Sequence, residues 1–185
     1  IFKAVVFRLT SFRWEKCFLM SCLLDKEIQI NRDENIIIGD ISIEDYDAKW
    51  RGDYLNEKRY LSYIERLKRD DAVALGAFVQ GKLAYSTWIL FDGIEVDGTI
   101  HKKDGYGMLW DSYCLPEFRG RGLHNMMNAY SLNMMKDKGM NYGSVMILSH
   151  NIPAYKTQIR CGLEIEKVFY TFCFLKKKYS TLKFN

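Results

Sequence analysis

The chain has 185 residues and a mass of 21.8 kDa, 48% hydrophobic and 27% charged. That suits one globular domain and argues against a disordered tail or a fibre. Its 27 Lys and Arg against 23 Asp and Glu leave only +4, without the concentrated basic stripe of a nucleic-acid surface.

The five cysteines, Cys17, Cys22, Cys114, Cys161 and Cys173, form no CxxC and no Cys/His metal spacing. Reduced thiols, no metal site and a cytoplasmic protein are expected. The longest apolar run, Cys17 to Leu24, is interrupted by Ser21 and is far short of a membrane span. A secretory leader is not visible.

In chain order, residues 1–33 read as an N-terminal extension packed on a domain that spans 34–185. IFKAVVFRLTSFRW, with Lys3, Arg8 and Arg13 among apolar residues, fits a helix or strand added at the domain edge; the alternative is an amphipathic surface helix. Glu34–Ser42 is a β-branched strand, and Ser42-Ile43-Glu44-Asp45 is a capping box opening a helix. Asn56–Arg69 places Tyr60, Leu61, Ile64 and Leu67 at helical spacing.

Ala72–Gln80 and Lys82–Phe91 flank Gly81 as a hairpin. Asp92–Gly105, rich in Gly and Asp, reads as a polar mobile loop, and Met108–Leu115 as the next strand. A long helix runs through Lys138 with Gly139 as its C-terminal cap. Met126, Met127, Met134 and Met135 lie on that helix as core packing. Ser144–Leu148 is a strand, Ile152–Cys161 a short helix ending at Gly162, and Glu164–Leu175 strand again. The run Lys176–Lys178 reads as a solvated face. Strands and helices in this order make an α/β domain with a mixed sheet.

Leu115-Pro116-Glu117-Phe118-Arg119-Gly120-Arg121-Gly122-Leu123 joins a strand to the long helix. A glycine-rich turn there exposes backbone N–H groups at the positive end of the helix macrodipole. Such a turn suits a pyrophosphate, with Arg119 and Arg121 adding cationic character.

This segment resembles the acetyl-CoA-binding motif of the GCN5-related N-acetyltransferases (GNAT superfamily), whose core reads Arg/Gln-x-x-Gly-x-Gly/Ala. Asn151-Ile-Pro-Ala154, followed after seven residues by Gly162-Leu163, is similar to that superfamily's Asn-x-x-Ala/Ser…Gly-Phe segment. The resemblance covers residues 34–175. It implies a GNAT-like α/β fold: a mixed, mostly antiparallel central sheet flanked by helices, with a splayed cofactor cleft. It also implies acetyl-CoA as cofactor and direct transfer of the acetyl group to a primary amine.

On the same resemblance, Cys114 and Leu115 would pair by their backbones with the pantetheine amides, between the strands carrying Cys114 and Ile147. Main-chain N–H groups of Arg119, Gly120, Arg121, Gly122, Leu123 and His124 would cradle the pyrophosphate, and Asn151 would flank the pantetheine arm. His124 departs from the family's Gly or Ala; its side chain would lean on the phosphates or point to solvent. Gln158 stands where many members carry a proton-donating Tyr, and Met146 where others carry a Glu.

That leaves Asp111 and His150 as candidate bases and Tyr155 as the nearest hydroxyl. Strand alternation places Asp111 on the face opposite Trp110, Ser112 and Cys114. Cys114 itself reads as an inert strand residue. An acceptor pocket would be built from Ile43–Arg69, Asp92–Gly105 and the C-terminal strands. Their aromatic residues Trp50, Tyr54, Tyr60, Tyr63, Trp88 and Tyr170 would suit an amino sugar, with a peptide N-terminus or a Lys side chain as alternatives. A non-catalytic acyl-CoA-binding module is the rival reading, motivated by Gln158 and Met146. The expected partners are a small-molecule amine and no nucleic acid, and a homodimer is compatible with the sequence.

Overall fold

The computed structural model describes residues 13–30, 34–96, 98–174 and 177–183. Most of the basic N-terminal segment and the run 176–178 lie outside the described side chains. The strands are β1 (Arg13–Leu23), β2 (Ile36–Asp40), β3 (Ala72–Val79), β4 (Lys82–Val96), β5 (Thr99–Cys114), β6 (Tyr142–Leu148), β7 (Glu164–Phe174) and β8 (Lys177–Ser180). The helices are α1 (Ala48–Asp53), α2 (Glu57–Leu67), α3 (Leu123–Asp137) and α4 (Ile152–Arg160). Among the described residues, no helix is long and apolar enough to cross a membrane.

One sheet of eight strands runs in the order β2-β3-β4-β5-β6-β1-β7-β8. Every neighbouring pair is antiparallel except β5 and β6. The β3–β4 hairpin turns through Gln80 (φ 51°) and Gly81 (φ 74°), the two left-handed residues of a type I′ turn.

The expected polar loop at 92–105 is strand instead. β4 continues to Val96 and β5 begins at Thr99, with Val96 opposite Thr99. Ile94 and Val96 are fully buried, so an apolar alternation runs beneath the Gly and Asp residues. The capping box at Ser42 exists, but it opens a 3-10 turn over Ile43–Asp45, where the Asp45 carboxylate accepts the Ser42 N–H at 2.7 Å. The following helix has its own cap in Asp47, which accepts from the N–H groups of Lys49 and Trp50.

β1 also departs from expectation. It lies inside the sheet rather than at an edge: Cys17 faces Leu148 of β6 on one side and Phe169 of β7 on the other. Cys17, Leu19 and Met20 are at most 1% exposed. The stretch Cys17–Met20 is thus the apolar pattern of a strand covered on both faces, while Leu23 at its end is exposed.

The two faces of the sheet carry different cores. α3 covers one, burying Leu123, Met126, Met127, Leu132 and Met135 against Leu75, Tyr85, Leu109, Val145 and Ile147. Gly107 and Gly143, paired across β5 and β6, allow that approach; a Cβ on Gly107 would lie 2.7 Å from Met135 Cγ. On the other face, α1 and α2 close over Tyr46, Trp50, Tyr63 and Trp88. A third cluster, with Leu19, Ile94, Met108 and Phe169, continues that face beneath β1 and the β4–β5 hairpin.

Candidate functional site

The site is organised by a bulge in β5. Pairing with β4 slips between Ser86/Tyr113 and Trp88/Trp110, leaving Asp111 and Ser112 opposite Thr87 alone. Asp111 has φ 55°, a conformation a non-glycine residue adopts only when its surroundings impose it. The bulge shifts the alternation. Trp110, Asp111 and Tyr113 share the α1–α2 face, while Ser112 and Cys114 turn toward α3. Asp111 is therefore beside Trp110, not opposite it as strict alternation predicts.

Two contacts hold Asp111. Its Oδ1 accepts from the Tyr54 hydroxyl at 2.5 Å, and its Oδ2 pairs with Arg66 Nη1 at 2.8 Å. The Arg66 guanidinium lies 3.6 Å from the Trp110 ring centroid. Burial first, then the Asp111 charge, hold the Tyr54 phenol well above the usual range, so it stays protonated and donates. α2 presents Arg59, Ser62 and Arg66 at i, i+3 and i+7, one face of the helix. That spacing was available in the sequence as a sign of Arg66; its partner was not.

β5 pairs with β6 only from Tyr106↔Tyr142 to Leu109↔Val145, and no pairing is seen beyond the bulge. Leu115 N–H donates to Ala84 O at 3.0 Å, so in antiparallel alternation the backbone of Cys114 faces away from β4, into the splay. Leu115 C=O accepts from Phe118 N–H at 3.0 Å. With both groups used internally and its side chain buried, Leu115 has no edge to offer a pantetheine. The Arg119 side chain turns back over the strand, its Nε donating to Cys114 O at 3.2 Å.

Below this edge the chain turns through Gly120 (φ 77°) and Gly122 (φ 75°) into α3. Gly122 is the N-cap, and no side chain caps the helix, so the first-turn N–H groups lack intrahelical acceptors. A Cβ at either glycine would meet nothing within 4 Å; conformation, not space, selects glycine here. Arg119 and Arg121 flank the turn and are exposed.

His124 goes neither to the turn nor to solvent. Its Nδ1 lies 2.6 Å from the Tyr85 hydroxyl, beneath the sheet, and its Nε2 is buried without a hydrogen-bond partner. Burial holds its imidazole below the usual range.

A cleft of about 970 Å³ opens on the α1–α2 face beside the splay. Its wall includes Asp111 and Trp110 from β5, Met146 from β6, and Arg59 and Arg66 from α2. Glu15 and Cys17 of β1 also line it, a contribution no motif signals, because it depends on β1 entering the sheet. The aromatic residues expected to line this pocket do not: Trp50, Tyr63 and Trp88 are completely buried, and Tyr170 packs against Trp14 instead.

Of the three candidate catalytic residues, the structure brings only Asp111 to the cleft. His150 is exposed at the turn after β6 and is not on its wall. Tyr155 is half-buried, its ring 5.8 Å from Phe18. Asn151 caps α4, its side chain accepting from Ala154 N–H at 3.3 Å. Gln158 is 2% exposed, with its Oε1 unpartnered.

Solved structures of GCN5-related N-acetyltransferases share this arrangement of sheet and helices as a fold. The chain has the GCN5-related N-acetyltransferase fold. It is similar to such an acetyltransferase from Sphaerobacter thermophilus, with a TM-score of 0.61 and 14% identity, over 92% of this chain and 54% of that one. A GCN5-related N-acetyltransferase from Kribbella flavida gives 0.59 and 14%, over 91% and 62%. The aminoglycoside N-acetyltransferase AAC(6')-Iy, solved with CoA, gives 0.58 and 18%, over 75% and 95%. The chain thus spans 54% and 62% of two of these solved chains, and 53% of a similar Drosophila protein. No family model and no curated protein sequence matches it. At these identities the GNAT likeness is one of fold.

Proposed function

We propose that this protein is an acetyl-CoA-dependent N-acetyltransferase that moves an acetyl group directly onto a small-molecule primary amine. The observation that carries the reading is the splay itself: β5 leaves β6 after Leu109 with the Cys114 backbone facing outward, and the chain runs on from there into the Gly120–Gly122 turn. An extended amide chain ending in a pyrophosphate matches that pair of features.

Cys114 N–H would hold the pantetheine, the backbone from Arg119 to His124 the pyrophosphate, and Arg119 and Arg121 would add charge. Bound there, acetyl-CoA supplies a thioester activated toward amines. The chain's own residues do the rest. Asp111, fixed by Tyr54 and Arg66, presents the remaining lone pairs of its carboxylate to the cleft, where they can orient an ammonium and take up its proton. Trp110 and Met146 line the wall beside it. Gln158 offers an amide where a phenol acid is common in the superfamily, so the leaving thiolate would be protonated from solvent. A volume near 970 Å³ accommodates an acceptor of amino-sugar size.

Calorimetry with CoA, followed by acetyl-CoA turnover against a panel of amines, tests the reading. CoA binding with release of free thiol in the presence of an amine is the expected result. Binding without turnover on any amine would favour the non-catalytic acyl-CoA module. No binding at millimolar CoA would overturn both.

A further inference from the structure

The charges of the cleft are sorted by element. Lys58, Arg59 and Arg66 all come from α2. Asp111 comes from β5, Glu95 from the β4–β5 hairpin and Glu15 from β1. Arg66 is paired with Asp111 at 2.8 Å.

Lys58 and Arg59 are different. Among the described residues neither is in an ion pair. Arg59 donates to the backbone carbonyl of Tyr54 at 3.2 Å and stacks 4.3 Å from the Tyr54 ring centroid. Both contacts fix the guanidinium in place without cancelling its charge. Lys58 is exposed beside it. One flank of the cleft is thus a held positive wall.

Of the acids, Glu15 lies across the sheet. β1 is two strands from β5, on the far side of the splay. A cleft with Lys58 and Arg59 on one flank and the Asp111 carboxylate at the splay complements a ligand that is itself dipolar. It repels a polycation, whose charges would meet Lys58 and Arg59.

We infer that the acceptor is a primary amine that also carries an anionic group, a phosphate or a carboxylate, seated against Lys58 and Arg59. The amine end lies toward Asp111 at the splay. This rests on the acetyltransferase reading and narrows its substrate class.

The test is initial-rate acetyl transfer by the whole chain to glucosamine 6-phosphate, glucosamine, 5-aminopentanoate, 1-aminopentane and neamine. Each acceptor that carries a phosphate or carboxylate is expected to show a KM at least tenfold below that of its counterpart without one. Neamine is expected to be the poorest acceptor. In the double variant Lys58→Glu/Arg59→Glu, that preference should collapse toward unity with CoA affinity retained. Raising salt should shrink the preference in the wild type.

Preference for the phosphate alone, or for the carboxylate alone, identifies which anion the wall takes. Equal KM values in each pair, or neamine as the best acceptor, would overturn the inference and leave the acetyltransferase reading standing. If nothing is turned over, calorimetry of glucosamine 6-phosphate against glucosamine on the CoA-loaded protein decides. Tighter binding of the phosphate supports the inference; equal binding overturns it. Loss of CoA binding altogether overturns the parent reading.

Discussion

Asp111 and Arg66 form an ion pair at 2.8 Å, each side chain about 15% exposed, between a strand bulge and a helix 45 residues earlier. The pair holds Asp111 in its left-handed conformation and aims the rest of its carboxylate into the cleft. Asp111→Asn keeps the shape and removes the charge, leaving Arg66 without a counter-ion. A loss of about 1–3 kcal/mol in stability is expected, measured by urea denaturation. Acetyl transfer should fall at least tenfold in kcat with CoA affinity unchanged.

Gly122→Val puts a β-branched residue at φ 75°, a strain of roughly 1–3 kcal/mol that the turn can relieve only by moving. Calorimetry should show CoA affinity weakened by two orders of magnitude or more, while the far-UV spectrum stays native. Unchanged affinity would mean the turn is not the pyrophosphate site.

His124 titrates below its unfolded value because burial disfavours the imidazolium. The unfolded chain therefore binds the proton first, at about pH 6.5. Stability from the neutral, buried ring is present above that pH and is lost as pH falls below it. Melting temperatures from pH 7.5 to pH 5 should drop more steeply for the wild type than for His124→Gln. Parallel curves would show that the folded ring takes up its proton as readily as the unfolded one.

Burial pushes the Cys114 thiol up to about 11, so at pH 7.5 almost none of it is thiolate. Cys114→Ser should retain acetyl transfer within a few fold. Alkylation by iodoacetamide at that pH should be slow and should accelerate toward pH 10. A variant without activity would point to an acyl-cysteine step.

β1 is an interior strand, so its core residues should behave like those of any other strand. Leu19 is 1% exposed, and Leu19→Ala is expected to cost about 2–5 kcal/mol, read from the urea midpoint. A cost below 1 kcal/mol would return residues 13–23 to the status of a peripheral addition.

What the sequence by itself determined was local. The hairpin at Gly81, the Gly-x-Gly turn and the methionine face of α3 follow from residue types at fixed spacing, because turns and helix faces are short-range. Tertiary structure alone decided the rest. Asp111 shares a face with Trp110 only because a bulge against β4 interrupts the alternation, and it meets Arg66 only because α2 packs on that face. His124 is drawn under the sheet by Tyr85, a partner 39 residues away. Glu15 and Cys17 reach the cleft because β6 and β7 part to admit β1. Each of these depends on which strands become neighbours, and that is settled by burying the apolar faces of the whole sheet at once, not by any one stretch of sequence.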